Sequence, residues 1–359
     1  MKTNPNYLHT LLTLAAKDII DAIKNKTTLT IILGLSILML SVEALPLLLQ
    51  LDDRPALAMY DPDRSGAADE LRRAGQVQVI ELRAAEDAAN AVRESSRPLV
   101  AFTLPAGWET GAGGLTVDGY IPHWVGAGEG AALVRAAAGA FTAVTTRPLT
   151  IQPQTVYPTL QHGGQSVMVG MGLVLAALMI TAILVPYLIL EEKTAHTLDL
   201  LRVSPVSDMQ LILGKAIAGL VYGMVAAGVL LLFNLSLVTQ WSLLLPALLG
   251  LILFGVGLGL LVGLLVENQG AVQLWIGLFT MALMFPLLLV FIDPGRMPAW
   301  LPRLLNWLPG NAAFDLVRLS FGDQLPAGLV AARLGALAAG VLLIYAATVF
   351  VYPRFAGKR

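Results

Sequence analysis

The sequence predicts an integral membrane α-helical protein: six transmembrane helices with an inserted extracytoplasmic α/β domain. Three observations carry that prediction. The 359 residues are 56% hydrophobic and only 13% charged, with a mean hydropathy of +0.72, whereas a soluble domain is about 25% charged. The apolar residues gather into long runs, each near the roughly 20 residues needed to cross a bilayer core about 30 Å thick. One polar block, 52–165, separates the first run from the others.

Residues 1–28 hold an amphipathic helix over 8–24. Leu8, Leu12, Ala15, Ile19 and Ile23 recur on one side, and Lys17, Asp21 and Lys24 sit opposite. Such a helix before a first span suits the membrane interface; the alternative is a soluble helix packed on a partner. The first span runs from Leu29 to Leu49 within 29–51. Its apolar part is too long for a signal peptide, so it reads as an uncleaved anchor. Glu43 is the only acid inside a span. Direct participation in transport and simple hydration near the outer end are both open to it.

The block 52–165 alternates strand-like and helix-like runs. Strands are expected at Ala56–Tyr60, Val77–Leu82, Leu99–Leu104, Leu115–Tyr120 and Leu149–Val156, and helices at Ala67–Arg73, Ala84–Glu94 and Gly130–Thr146. That alternation favours a mixed sheet covered by helices. His123 and Trp124 read as a packed surface pair rather than a site.

Residues 166–359 hold the other five spans: Val167–Leu190, Ala216–Val238, Leu243–Val266, Ala271–Ile292 and Ala327–Tyr352. Gly255, Gly259 and Gly263 form a stripe of small residues, which lets helix backbones approach closely. The lysine and arginine bias of the short loops puts both termini in the cytoplasm and 52–165 outside. The stretch 294–325 is too polar and interrupted to span. It holds two short amphipathic helices, with Trp300 and Trp307 at aromatic-belt positions. It sits either at the outer mouth of a pathway or as a hairpin lying on the surface.

The segment Glu191–Ser207 carries a short helix over about 194–203, with Leu198 and Leu201 on one face. Pro205 discourages its extension. A helix this short is unstable alone. It is either an interfacial turn helix or a docking helix for a soluble protein, with Glu192, Thr197, Asp199 and Arg202 beside the leucines.

Several chemistries are excluded. Gly214-Lys215 is followed by Ala216 and lacks the phosphate-binding loop, so no ATP site is evident. Metalloprotease and serine-hydrolase motifs are absent, and His9, His123, His162 and His196 are scattered. No cysteine exists for metal or thiol chemistry. The net charge of −1 gives no footprint for nucleic acid. No cofactor or metal is expected on this chain.

The order of these pieces resembles the permease subunits of type-2 ABC transporters, in the branch with a large outer domain after the first span. Glu192-Lys193-Thr194-Ala195-His196-Thr197-Leu198-Asp199 resembles that family's cytoplasmic signature, with Thr194 and His196 departing from its usual Glu and Gly. Glu267-Asn268-Gln269 resembles its short inner loop. Met297-Pro298-Ala299-Trp300 through Pro309 and Arg318 resembles its outer hairpin. The resemblance implies an exporter made of two permeases, identical or paralogous, and two cytoplasmic ATPase subunits that bind ATP and Mg. The helix 194–203 would be the coupling helix. The cargo is left open, with a lean toward amphipathic or lipid-like molecules or drugs. The alternative is a membrane-anchored sensor or assembly protein whose outer domain binds a ligand or envelope partner.

Overall fold

The computed structural model describes residues 7–24, 37, 54–110, 113–194, 208–289, 297–298 and 300–357. The expected first span (apart from Ile37), Glu43 and the segment 195–207 lie outside the described residues.

Helix α1 spans Tyr7–Lys24. Then come β1 (Ala56–Tyr60), α2 (Ala67–Ala74), β2 (Gln78–Glu81), α3 (Asp87–Glu94), β3 (Leu99–Thr103), β4 (Leu115–Pro122), α4 (Ala127–Thr145) and β5 (Leu149–Val156). The strands form one sheet in the order β2-β1-β3-β4-β5. Only the β3–β4 pairing is antiparallel, so the sheet is mixed.

Strands β1 and β3 are apolar throughout because helices cover both faces. Successive side chains alternate between those faces. Leu57, Met59, Val100 and Phe102 join Leu71 of α2 and Phe141 of α4 in one core cluster. Ala56, Ala58, Leu99 and Ala101 join Ala88 and Val92 of α3 in another. Phe102 meets Phe141 edge-on at 6.1 Å between ring centres, a preferred aromatic geometry. Helix α2 carries Asp69 and Glu70 in its first turn and Arg72 and Arg73 in its last, matching the helix dipole. It stops at Gly75, whose φ of +69° supplies the left-handed cap.

The remaining helices are α5 (Gly164–Thr194), α6 (Asp208–Phe233), α7 (Trp241–Leu265), α8 (Gln269–Leu288), α9 (Trp300–Leu305), α10 (Pro309–Leu319) and α11 (Ala327–Gly357). Among the described residues, five helices are long and apolar enough to cross a membrane: α5, α6, α7, α8 and α11. The run expected to continue to Val238 stops at Phe233, and a 3-10 turn over Leu235–Leu237 follows. Helices α5 and α7 are enclosed by the others, whereas α8 and α11 present residues such as Leu274, Met281, Leu342 and Leu343 outward.

Helix α10 does not lie on the surface. Ala312, Ala313, Phe314, Leu316 and Val317 belong to the same buried cluster as α5 and α7. Helix α9 buries nothing: Trp300 is 62% and Trp307 71% exposed.

The sheet abuts the end of the bundle where α5 begins, and the join is polar. His123, at the end of β4, donates from Nε2 to the Leu237 carbonyl at 3.0 Å; a carbonyl only accepts, so Nε2 carries the proton. The ring stacks on Tyr157, and Trp124 packs against the bundle cluster. The pair expected at the surface is therefore part of the joint, because β4 ends against the α6–α7 turn.

Candidate functional site

The opposite end of the bundle, here the distal end, is where the chain leaves α5 for the segment 195–207 and returns in α6. Three sets of contacts organise it. The first is the glycine stripe of α7. A Cβ at Gly259 would stand 2.8 Å from Val185 Cβ and 2.9 Å from the Thr181 carbonyl, and one at Gly263 would stand 2.6 Å from Ile189. A methyl at Gly255 would collide with Thr181 Oγ1. The stripe therefore faces α5 at backbone contact distance. Gly219 and Gly223 of α6 face Val185 and Thr181 in the same way. The three helices form one tightly packed unit.

The second is Lys193 in the last turn of α5. It is 9% exposed, and its ammonium donates to the carbonyls of Gly263 (2.7 Å), Leu264 (3.2 Å) and Val266 (2.7 Å). A helix ends with carbonyls that lack intrahelical partners and with partial negative charge. One ammonium answers both at the end of α7. Two residues on, Asn268 caps α8 by accepting from the Ala271 N–H at 2.8 Å. The end of α5 is thus tied to the α7–α8 loop.

The third joins α1 to α6. Lys215 and Asp18 form a buried ion pair at 3.4 Å. The Tyr222 hydroxyl donates to the Ile19 carbonyl at 2.7 Å, and Leu14 packs over Gly214. The face that α1 buries is Leu11, Ala15 and Asp18, while Leu12 is 54% exposed. Leu12 departs from the expected stripe, whereas Ala15 and Ile19 keep to it, Ile19 half-buried against α5 and α6. On this face an acid meets Lys215, a pairing that apolar periodicity does not register.

Of the residues singled out from the sequence, Gly255, Gly259 and Gly263 come together with α5. Glu192 falls in the last turn of α5. Trp300 and Trp307 are on or beside α9, away from this end. Thr197, Leu198, Asp199, Leu201, Arg202 and Glu43 lie outside the described residues. Lys193, Asp18 and Lys215 were not singled out. Their one signal was a charge adjoining an apolar run, which usually means a solvated flank. Among the described residues no cluster of His, Asp and Glu could hold a metal ion.

A family model for ABC-2 family transporter proteins matches residues 26–350, nearly the whole chain. The chain belongs to the ABC-2 transporter family. Comparison with curated proteins gives no match. As an ABC-2 protein it is a multi-pass membrane protein, the membrane-spanning component of an ABC transporter.

Proposed function

We propose that this ABC-2 protein is the permease subunit of an ATP-driven exporter, with residues 194–203 as the coupling helix that docks on a cytoplasmic ATPase. The triple hydrogen bond of Lys193 carries this reading. A segment that transmits force needs a stiff root, and this root grips α5 and the end of α7 at once. The ion pair between Asp18 and Lys215 ties α1 to α6, where the same segment rejoins the bundle. Two permeases, identical or paralogous, and two ATPases complete the assembly. ATP and Mg bind on the ATPases. Both termini are cytoplasmic, the sheet domain is outside, and the cargo is amphipathic or lipid-like.

The test is co-expression with an ABC ATPase encoded beside this chain. The ATPase is expected to co-purify, and Leu198→Asp with Leu201→Asp to abolish that. Retention of the ATPase by the double variant overturns the docking assignment. Because the chain has no cysteine, Asp199→Cys and Asp118→Cys report topology cleanly. Asp199→Cys should react only from the cytoplasmic side, and Asp118→Cys, on the exposed side of β4, only from outside.

A further inference from the structure

Between the sheet and the α10–α11 connection lies a cleft of about 700 Å³, within the usual range of small-molecule sites. Its lining is lopsided in charge. Arg93, His162 and Arg318 face one carboxylate, Asp323.

Arg318 is 3% exposed. It donates from Nη1 to the Leu160 carbonyl (3.1 Å) and from Nη2 to those of Thr159 (3.0 Å) and His162 (2.6 Å). Carbonyl dipoles answer its geometry without cancelling its charge. Asp315, one turn back along α10, is ion-paired with Arg333 at 2.7 Å. Arg318 Nε is buried with no hydrogen-bond partner. Arg93 is half-buried, with Nε on the Tyr157 carbonyl and Nη1 on Asn90. Burial lowers the His162 pKa, and the charges of Arg93 and Arg318 add to that against the opposing pull of Glu94.

Apolar side chains, among them Val156, Pro158, Leu160 and Leu329, share the rest of the wall with polar ones such as Gln154, Thr155, Gln161 and Gln324. Leu329 lies in the first turn of α11, whose apolar run Ala327–Tyr352 is long enough to cross a bilayer. The cleft therefore sits level with the end of a spanning helix, where lipid headgroups lie.

We infer that this cleft binds the phosphate headgroup of an anionic phospholipid, with Arg93 and Arg318 as its cationic wall and Leu160 and Leu329 against the upper acyl chain. Arginine suits phosphate because its guanidinium keeps its charge; with both Arg318 Nη groups on backbone carbonyls, Arg318 acts through its field and the more exposed Arg93 makes the contact. The inference stands on the cleft alone, so loss of ATPase docking would leave it intact.

The full chain, purified in detergent, is mixed with phosphatidylglycerol or with phosphatidylcholine of the same acyl chains. Retained lipid is read by native mass spectrometry. Phosphatidylglycerol is expected to be retained preferentially, and Arg93→Gln to weaken that about tenfold, the worth of one charge-assisted hydrogen bond. Arg72→Gln, on α2 and away from the cleft, should change nothing. Arg318→Gln should abolish retention where it folds; the half-buried Arg93 keeps the test decisive where it does not. Equal retention of the two lipids overturns the inference, as does indifference to Arg93→Gln. Displacement of the lipid by millimolar inorganic phosphate assigns the site to a free anion and overturns the lipid assignment.

Discussion

Asp18 and Lys215, far apart in sequence, meet at 3.4 Å with side chains 10% and 2% exposed. The pair makes α1 part of the bundle rather than a loose amphipathic preface. Replacing one member of a buried pair costs far more than replacing both, because it strands a charge away from water. Asp18→Leu should destabilise the chain by about 3 kcal/mol. Asp18→Leu with Lys215→Met should recover most of the loss. Thermal unfolding in detergent reads both, and a double variant no better than the single would sink the pairing argument.

Lys193 is the shared donor to three carbonyls at the end of α7. Lys193→Met should leave buried acceptors unmet, at about 1–3 kcal/mol each. Under the proposed function it should also lower ATP-driven transport more than it lowers ATPase binding. Lys193→Arg should retain part of both. Equal loss of binding and transport would reduce Lys193 to a stabilising role.

Glycines in the helices separate into packed and open positions. Gly259→Ala should destabilise by about 1–3 kcal/mol, since its methyl would press on the Thr181 carbonyl. Gly277→Ala, on α8, meets nothing within 4 Å and should stabilise by about 0.5–1 kcal/mol through helix propensity. Identical unfolding temperatures for the two variants would contradict the close approach of α5 and α7.

The joint between sheet and bundle should weaken in acid. Burial lowers the His123 pKa, opposed by its hydrogen bond to Leu237 and by Asp323. A base with a lowered folded pKa binds its proton better unfolded, so its stabilising effect is present above the unfolded value of about 6.5 and is lost as pH falls below it. Its buried Nδ1 has no partner to receive a proton's hydrogen bond. The unfolding temperature should drop between about pH 7.5 and 5, and His123→Gln should flatten part of that drop. His162, also lowered by burial, supplies the remainder. An unchanged pH profile in His123→Gln would remove the histidine from the account.

The sheet was legible almost strand by strand, because β1 and β3 are short apolar runs closed by Asp61 and Pro105, β4 and β5 begin with alternating apolar residues, and each helix is a separate polar-faced unit. The spans α5, α7 and α11 were equally plain, since a run of about 20 apolar residues has few other uses. What escaped were contacts between charge and distant backbone. Lys193 and Arg318 look from their neighbours like ordinary flanking cations. Only the fold brings the end of α7 to one and the loop 159–162 to the other. The pairing of Asp18 escaped for a related reason: it is polar, and periodicity assigns a polar residue to water unless its partner is known. Helix α10 lies in a stretch open to two readings, the outer mouth of a pathway or a surface hairpin; its burial removes the second, because its short run of Ala, Phe, Leu and Val fits between longer helices.

Gly164 opens α5 with a φ of +67°, and a side chain there would run into the backbone oxygens of Arg93 and Ser95. The Gln165 N–H donates to that same Ser95 carbonyl at 3.3 Å. There is no slack between the last turn of α3 and the first of α5, so the sheet cannot swivel on a tether. Tilting α5 must swing the sheet with it, as a lever swings on its shaft, and a small rotation at the distal end would become a larger sweep at the sheet's far edge.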